Sequence, residues 1–157
     1  MSTVHTLDAT ETINRLVTVF PTHQHAQVRQ QLASVLKAVI SQRLLPRADG
    51  TGRCVAAEVM LNTPFVRECI SAPERTHLIV EALSTGATQY GMQTFDQSIF
   101  SLYERGLVTY DTALRAASNP DEFKLRIQGV TDIEDGEVAR TGRSGRPDSR
   151  LIAQFEE

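Results

Sequence analysis

The stretch from Arg53 to Leu61 has the composition of a buried strand, and it directly follows a turn-rich segment from Pro46 to Gly52. Because an Asp-Gly turn commonly joins the two strands of a hairpin, residues Gln42 to Leu45 are the candidate partner strand. After Asn62 the sequence carries only helix signals. The pattern therefore predicts an α/β domain with few strands in its first half and an all-helical second half.

Two amphipathic helices are predicted before the hairpin. Asp8 and Glu11 form a capping pair for the first helix, which ends at Pro21. Thr22 is predicted to cap the second helix, which extends over about 20 residues to Leu45 because apolar residues recur at steps of three and four. That apolar stripe consists of Val28, Leu32, Val35, Leu36, Val39 and Ile40.

Polar start signals divide the second half into short helices. Thr94 and Gln97 make a capping box, and Gly106 is predicted to end the helix that they start. The other predicted starts are Thr63-Pro64, Thr76, Thr109 and Asn119-Pro120. From residue 129 onward the chain is rich in Gly, Arg and Asp with little apolar periodicity, which predicts a disordered tail over residues 129–157.

The charges of the 157-residue chain are balanced over most of its length. Residues 1–128 hold 12 acidic and 12 basic side chains, and residues 129–157 hold 7 and 4, which accounts for the whole net charge of −3. Because residues 1–128 have no excess of basic side chains, they lack the positive charge that a nucleic-acid-binding protein uses to contact phosphates. No run approaches the roughly 18 apolar residues of a membrane helix, so we expect neither nucleic-acid binding nor membrane insertion.

Targeting and metal-binding signals are also absent from the sequence. The N-terminus has neither a basic region nor a continuous apolar segment, so no signal peptide is expected. Cys54 and Cys69 are too few for a disulfide scaffold, which favours a reduced cytoplasmic setting. His23 and His25 lie two apart around a helix start and do not share a face, and no cysteine lies nearby. We therefore expect no metal site.

The sequence contains no loop that could grip a nucleotide. A P-loop needs a lysine after glycine, because backbone amides cradle the phosphates while the lysine reaches their outer oxygens. The two lysines, Lys37 and Lys124, follow leucine and phenylalanine instead. The patterns G-x-G-x-x-G, G-x-S-x-G and H-E-x-x-H do not occur either. The chain thus holds no self-sufficient catalytic motif.

His5 is the strongest single candidate for a functional residue. It lies where the β-prone residues 2–6, predicted to form a strand, pass into the first helix, and there a side chain can project over a ligand. The alternative is a histidine that is hydrogen-bonded at a strand end. Arg15, Arg43 and Arg67 lie beside apolar stripes and could reach a ligand or partner; for each the alternative is a solvated helix face.

Several segments of the chain match one known family. Residues Thr3 to Arg15, which include His5-Thr6-Leu7-Asp8, and Val19 to Pro21 resemble the histidine box and following helix of the PilT-type twitching-motility ATPases. The match continues through Gln27–Ala33, Ala38–Pro46, Glu58–Pro64 and Gly91–Gln97. It covers residues 2 to about 130 nearly without gaps, and is far more specific than any single motif.

The resemblance implies a part of a hexameric motor. Such proteins belong to the secretion-ATPase superfamily, bind ATP and Mg²⁺, and drive retraction of type IV pilus fibres against an inner-membrane platform protein, at the cytoplasmic face of the inner membrane. Their P-loop and Walker B segments precede the histidine box. The chain is therefore expected to contain the end of a RecA-like P-loop NTPase core over residues 1–62, an all-helical C-terminal subdomain over residues 63–128, and the tail.

Individual residues carry over from the family by position. His5 matches the histidine placed near the γ-phosphate, Thr3 and Thr6 match its neighbours, and Arg15 matches an arginine for which a nucleotide-facing role is implied. The segment Phe65–Ile70 takes the place of the family's retraction motif but keeps little besides its arginine. The chain also lacks the four-cysteine zinc insertion usual in pilus-extending relatives, which favours the retraction branch.

Two functional hypotheses follow from the resemblance. In the first, the chain is the C-terminal portion of a retraction motor; because Walker A and Walker B are missing, it should bind ATP and Mg²⁺ very weakly alone and should not hydrolyse ATP. In the second, it is a free-standing, non-catalytic interaction module that docks on hexamers of secretion or pilus ATPases. The first is favoured, since the chain shows no polar or capped strand edge at its start.

Overall fold

The computed structural model describes residues 2–129, which fall into two units that divide after Pro120. The elements of the first unit are α1 (Ala9–Thr18), a 3-10 turn (Thr22–Gln24), α2 (His25–Val35), β1 (Ala38–Pro46), β2 (Arg53–Leu61), α3 (Pro64–Ser71), a second 3-10 segment (Pro73–Leu78), α4 (Ile79–Thr85), α5 (Ala87–Tyr90), α6 (Phe95–Glu104) and α7 (Tyr110–Ala116). Residues 120–129 are helical and are called α8. This mixture of helices with a small sheet confirms the predicted fold class.

Helix α1 begins where its capping pair predicts. The Asp8 side chain accepts a hydrogen bond from the Glu11 amide at 2.7 Å, and the Glu11 carboxylate accepts one from the Leu7 amide at 2.7 Å. Both bonds satisfy amides at the helix entrance that have no intrahelical partner. The helix then buries Ile13 and Val17 on one face.

The predicted continuation of the second helix to Leu45 is wrong. Helix α2 ends at Val35, and the chain is already extended at Leu36. The Asn62 side chain donates hydrogen bonds to the carbonyls of Ala33 (2.8 Å) and Leu36 (2.7 Å) and so satisfies the end of the helix. Residues from Ala38 onward instead form β1, because their backbone groups pair with β2.

The hairpin prediction is confirmed, with a longer first strand than expected. Strands β1 and β2 pair antiparallel over nine positions, from Ala38 opposite Leu61 to Pro46 opposite Arg53. In the turn, Asp49 accepts a hydrogen bond from the Thr51 amide at 2.9 Å. The sheet buries Ser41, Leu45, Ala56, Glu58 and Met60 on one face, and it exposes Ile40, Leu44 and Val55 on the other.

Residues 2–6, which the sequence predicts as a strand, form no ladder. Residues 2–5 are exposed, and the described sheet contains only β1 and β2. β-propensity reflects packing against neighbouring strands rather than an independent backbone preference. Without a paired neighbour, these β-prone residues run as a non-repetitive segment into α1.

The second half is helical as predicted, with one shifted boundary and one short helix, α5, that the sequence did not predict. Thr63, Thr94 and Thr109 cap α3, α6 and α7, and the capping box of Thr94 with Gln97 is complete. Gly106 at φ +66° follows the end of α6, at a backbone angle that favours glycine. The helix predicted from Thr76 to Leu83 is displaced: a 3-10 segment ends at Leu78, and α4 begins at Ile79. Thr76 is not a cap, because its hydroxyl bonds to the Cys69 and Ala72 carbonyls.

A single apolar cluster joins elements from both halves of the first unit. Its members are Ala9 and Ile13 from α1, Ala33 from α2, Met60 from β2, Val66, Cys69 and Ile70 from α3, Ile79, Ala82 and Leu83 from α4, and Met92. Cys69 is fully buried and burial raises the pKa of its thiol, as suits a small core residue. The tail was predicted to begin at residue 129, but this residue is still helical and belongs to α8. Residues 130–157 of the predicted tail lie outside the described part of the chain.

Candidate functional site

A cleft of about 840 Å³ opens between residues 2–6 and the start of β1. Its walls are formed by Ser2 to Thr6, by Thr12 and Leu16 of α1, and by Val35 to Gln42. Thr3, His5 and Thr6 all line it. The structure therefore brings together three of the four predicted site residues, although they lie on a non-repetitive segment rather than on a strand.

His5 is the exposed functional group of this cleft. Its side chain makes no hydrogen bond to any other residue between 2 and 129. Both ring nitrogens are consequently available to a ligand, one as a donor and the other as an acceptor in the neutral ring. Lys37 is also exposed at the cleft wall and adds a second cationic or donor group.

Thr6 acts as a tie between the His5 segment and α1. Its hydroxyl lies 2.7 Å from the Thr12 hydroxyl, which itself donates to the Asp8 carbonyl at 2.8 Å. Because a hydroxyl has one proton to donate, Thr6 must be the donor to Thr12. The Thr6 hydroxyl can thus offer an incoming phosphate no proton while this bond persists, and its role in the present geometry is to hold the backbone next to His5.

Arg15 does not join the cleft. It is exposed in the last turn of α1, and within the described chain its guanidinium has no hydrogen-bond or ion-pair partner. The neighbouring positions Thr12 and Leu16 face the cleft. A nucleotide-facing role for Arg15 therefore requires a ligand that approaches α1 from outside the cleft.

Two buried polar residues near the cleft, Glu58 and Ser41, belong to no sequence motif. Glu58 on β2 is 6% exposed, and its Oε1 accepts a hydrogen bond from the Ala9 amide at 2.7 Å. Ser41 lies opposite Glu58 in the hairpin and lines the cleft. The sequence does contain a sign of this buried carboxylate. Ala56, Glu58 and Met60 occupy every second position of β2 and so share one face, on which Glu58 is a charged residue between two apolar ones.

Burial raises the pKa of Glu58, and the nearby charge of Asp8 raises it further. The hydrogen bond from the Ala9 amide and the charge of Arg43 lower it, without cancelling the effect of burial. The carboxyl group lies at the entrance of α1, where the helix dipole favours negative charge. Glu58 is thus oriented toward the helix that follows His5.

The side chains gathered at the cleft could contact a ligand directly, without a metal ion held by the described residues. The described chain contains no group of three or more His, Cys, Asp or Glu side chains able to hold a metal ion. His25 is engaged, because its Nε2 lies 2.8 Å from the Phe20 carbonyl. Across residues 2–129 no helix is long and apolar enough to cross a bilayer. The exposed groups that the cleft offers are the His5 imidazole, on a segment held by local hydrogen bonds, and the Lys37 side chain.

Sequence comparisons identify the relatives of the chain. It is 38% identical to the type IV pilus ATPase PilU of Pseudomonas aeruginosa over 128 residues. These aligned residues cover 82% of this chain and 33% of PilU. It is 42% identical over 123 residues to the twitching motility protein of Neisseria gonorrhoeae, or 78% of this chain and 32% of that protein. The chain belongs to the PilT-type ATPase family. It spans about a third of the length of the curated relatives that it matches.

Solved structures agree with this assignment of a PilT-type chain. The chain in the crystal structure of the pilus retraction motor PilT with bound ADP has 36% sequence identity to this chain. The two superpose with a TM-score of 0.61, over 76% of this chain and 32% of the PilT chain. The Legionella pneumophila ATPase DotB, 21% identical, shares the fold over 80% of this chain with a TM-score of 0.55. No family model matches the sequence. The roles of His5, Thr3, Thr6 and Arg15 stay predictions.

Proposed function

We propose that this chain forms the C-terminal portion of a type IV pilus retraction motor, in which ATP hydrolysis is coupled to pilus retraction and twitching motility. The observation that carries the proposal is the identity of 38–42% to PilU, PilT and the gonococcal twitching motility protein across about four-fifths of the chain. Residues 1–62 then form the end of the RecA-like core, and residues 63–128 form the helical subdomain.

The motor context supplies what the chain lacks. ATP with Mg²⁺ is the proposed cofactor, and the P-loop and Walker B acid that would hold it belong to the part of such motors that precedes the histidine box. The proposed assembly is a homo-hexamer that contacts a pilus platform protein at the inner face of the inner membrane. Among the residues present, His5 and Lys37 at the cleft would contact the outer phosphate, and neither lysine of the sequence follows the glycine of a P-loop.

His5 would stabilise charge that develops on the γ-phosphate. An imidazole N–H can donate a hydrogen bond to a phosphate oxygen, and a donor already in place costs no reorganisation when the charge grows. Thr6, held by Thr12, limits the movement of the backbone beside it. Such a group contributes more to the rate of hydrolysis than to nucleotide binding.

Replacement of His5 by alanine in a complete motor tests this role. We expect kcat for ATP hydrolysis to fall by roughly 10²–10³-fold, which is the range for loss of one preorganised donor, while the Kd for nucleotide changes much less. His23→Ala is the matched control, because His23 is exposed on the 3-10 turn and does not line the cleft. Equal losses of binding and hydrolysis in His5→Ala would indicate a structural histidine instead.

The alternative function, a free-standing module that docks on motor hexamers, is favoured by one observation. The outer face of the hairpin exposes Ile40 (64%), Leu44 (58%) and Val55 (46%), and adjacent exposed apolar side chains suit a protein contact. Capture of a full-length motor by the purified chain, lost in Leu44→Glu, would support this function. A chain that aggregates or captures no motor would oppose it.

A further inference from the structure

We propose that Glu58 is a positioning residue for His5: its carboxyl group fixes the first turn of α1, and thereby the segment that carries His5, against the hairpin. The inference rests on the proposed function for its consequence, because His5 has a catalytic use only in a motor. The anchoring itself is a property of this chain.

The anchor is a single buried hydrogen bond. Glu58 Oε1 accepts from the amide of Ala9, the first residue of α1, at 2.7 Å. Glu58 is 6% exposed and Ala9 is 1% exposed, so water cannot easily replace either partner. The first amides of a helix have no intrahelical acceptor, and a carboxylate at this end is also favoured by the helix dipole. The bond therefore satisfies the Ala9 amide, which has no acceptor within α1.

The other hydrogen bonds near His5 are local. Thr6 bonds to Thr12, the Leu7 amide donates to Glu11, and the Thr12 hydroxyl donates to the Asp8 carbonyl. These bonds link residues 6–12 to one another at the entrance to α1. Among the hydrogen bonds that residues 2–12 make within the described chain, only the bond to Glu58 reaches another element. It alone sets, by a directional contact, where this entrance lies over the cleft.

The neighbours of Glu58 along β2 give no separate reason for a carboxylate at this position. The neighbours of Glu58 on the same strand face, Ala56 and Met60, are apolar and fully buried. An apolar side chain of similar volume would fill the space without the cost of removing a carboxylate from water. Ser41 lies opposite Glu58 on β1, and the charge of Arg43 also acts on this carboxyl group, but only the bond from the Ala9 amide links it to the segment that carries His5.

Amide hydrogen exchange of the ¹⁵N-labelled 157-residue chain tests the anchor without any nucleotide. In Glu58→Ala we expect exchange of the Ala9 amide to accelerate about tenfold or more, as fits the loss of one buried hydrogen bond to a charged acceptor. The ¹⁵N order parameters of residues 5–7 should fall at the same time. In Glu58→Gln, whose amide oxygen can replace the carboxylate oxygen, both values should stay near those of the parent chain. Exposed Glu104→Ala is the control and should change neither.

The proposal is overturned if folded Glu58→Ala keeps the exchange rate of Ala9 and the order parameters of residues 5–7. If Glu58→Ala does not fold, Glu58→Gln decides alone, and accelerated exchange at Ala9 in that folded variant overturns the proposal. Exchange at Ile99 in α6 reports global unfolding and separates it from local release. Failure of the proposed function, by contrast, would show in the His5→Ala assay and would leave these exchange rates unaffected.

Discussion

Arg29 is a charged side chain in the interior of the first unit. It is 8% exposed, and its guanidinium donates to the Ile70 carbonyl (3.1 Å), the Thr76 hydroxyl (3.1 Å) and the Asn14 side-chain oxygen (2.9 Å). No carboxylate of the described chain lies within ion-pair distance of it. Burial lowers the pKa of Arg29, yet a guanidinium stays charged. The three acceptors come from different elements, so Arg29 ties α1 and α2 to the end of α3 and the segment after it.

Arg29→Ala should therefore lower the free energy of unfolding by roughly 2–4 kcal/mol, because it leaves buried acceptors without a partner. Urea denaturation followed by circular dichroism measures the change. Arg67→Ala is the control: Arg67 is exposed on α3, and its loss should cost less than about 0.5 kcal/mol. If Arg29→Ala lowered the free energy of unfolding by less than about 1 kcal/mol, the hydrogen bonds of Arg29 would not be holding these elements together.

Glu58 should make stability depend on pH in an unusual direction. Burial raises its pKa above the ordinary value, so between the two values the folded chain binds more protons than the unfolded chain. The contribution of Glu58 to stability is then fully present below the unfolded pKa and is lost as pH rises through the folded pKa. Glu58→Gln removes this titration. We expect the unfolding free energy of the variant minus that of the parent to increase as pH rises.

Urea denaturation at several pH values from about 4 to about 8 measures this difference. Exposed Glu104→Gln is the control and should give a difference that is nearly independent of pH. A difference for Glu58→Gln that falls with rising pH would mean that attraction to the Ala9 amide and Arg43 outweighs burial.

At the scale of elements, helix α6 depends on a reciprocal cap. Thr94 accepts from the Gln97 amide at 3.2 Å, and Gln97 accepts from the Thr94 amide at 3.0 Å. Thr94→Ala should cost about 1 kcal/mol of unfolding free energy, the usual value for loss of an N-cap. Thermal denaturation of Thr94→Ala beside Ser101→Ala, an exposed position of the same helix, gives the comparison. Equal midpoints for the two variants would show that the cap contributes nothing.

The same scale shows which boundaries the sequence predicts. Helix starts at Asp8, Thr63, Thr94 and Thr109 were predicted because a cap lies within three residues of the amide that it satisfies. The end of α2 was not, because its capping side chain, Asn62, is 29 and 26 residues away from the carbonyls that it binds. Over a few residues, the spacing of apolar side chains is compatible with either a helix or a strand. Pairing with β2 makes the residues from Ala38 onward a strand.

At the scale of the whole molecule, the chain should be unable to turn over ATP. It spans about a third of the length of its relatives, and neither of its lysines follows the glycine of a P-loop. A phosphate-release assay on the purified chain with ATP and Mg²⁺ should therefore give a rate equal to that without protein. The complete motor is the positive control. Robust ATP hydrolysis by the chain alone would refute the proposal that the P-loop and Walker B acid, which hold the nucleotide, belong to the rest of the motor.

The sequence by itself determined the family, because the resemblance extends over most of the described chain. It also determined the helix starts at Asp8, Thr63, Thr94 and Thr109 and the hairpin turn, because each of these depends on residues that are close together in the chain. The tertiary structure alone decided that Thr3, His5 and Thr6 share a cleft while Arg15 does not. It also decided that Glu58 reaches Ala9 across 49 positions, and that Arg29 reaches Thr76 across 47. Such contacts depend on how distant segments pack, and no local pattern of residues encodes that packing.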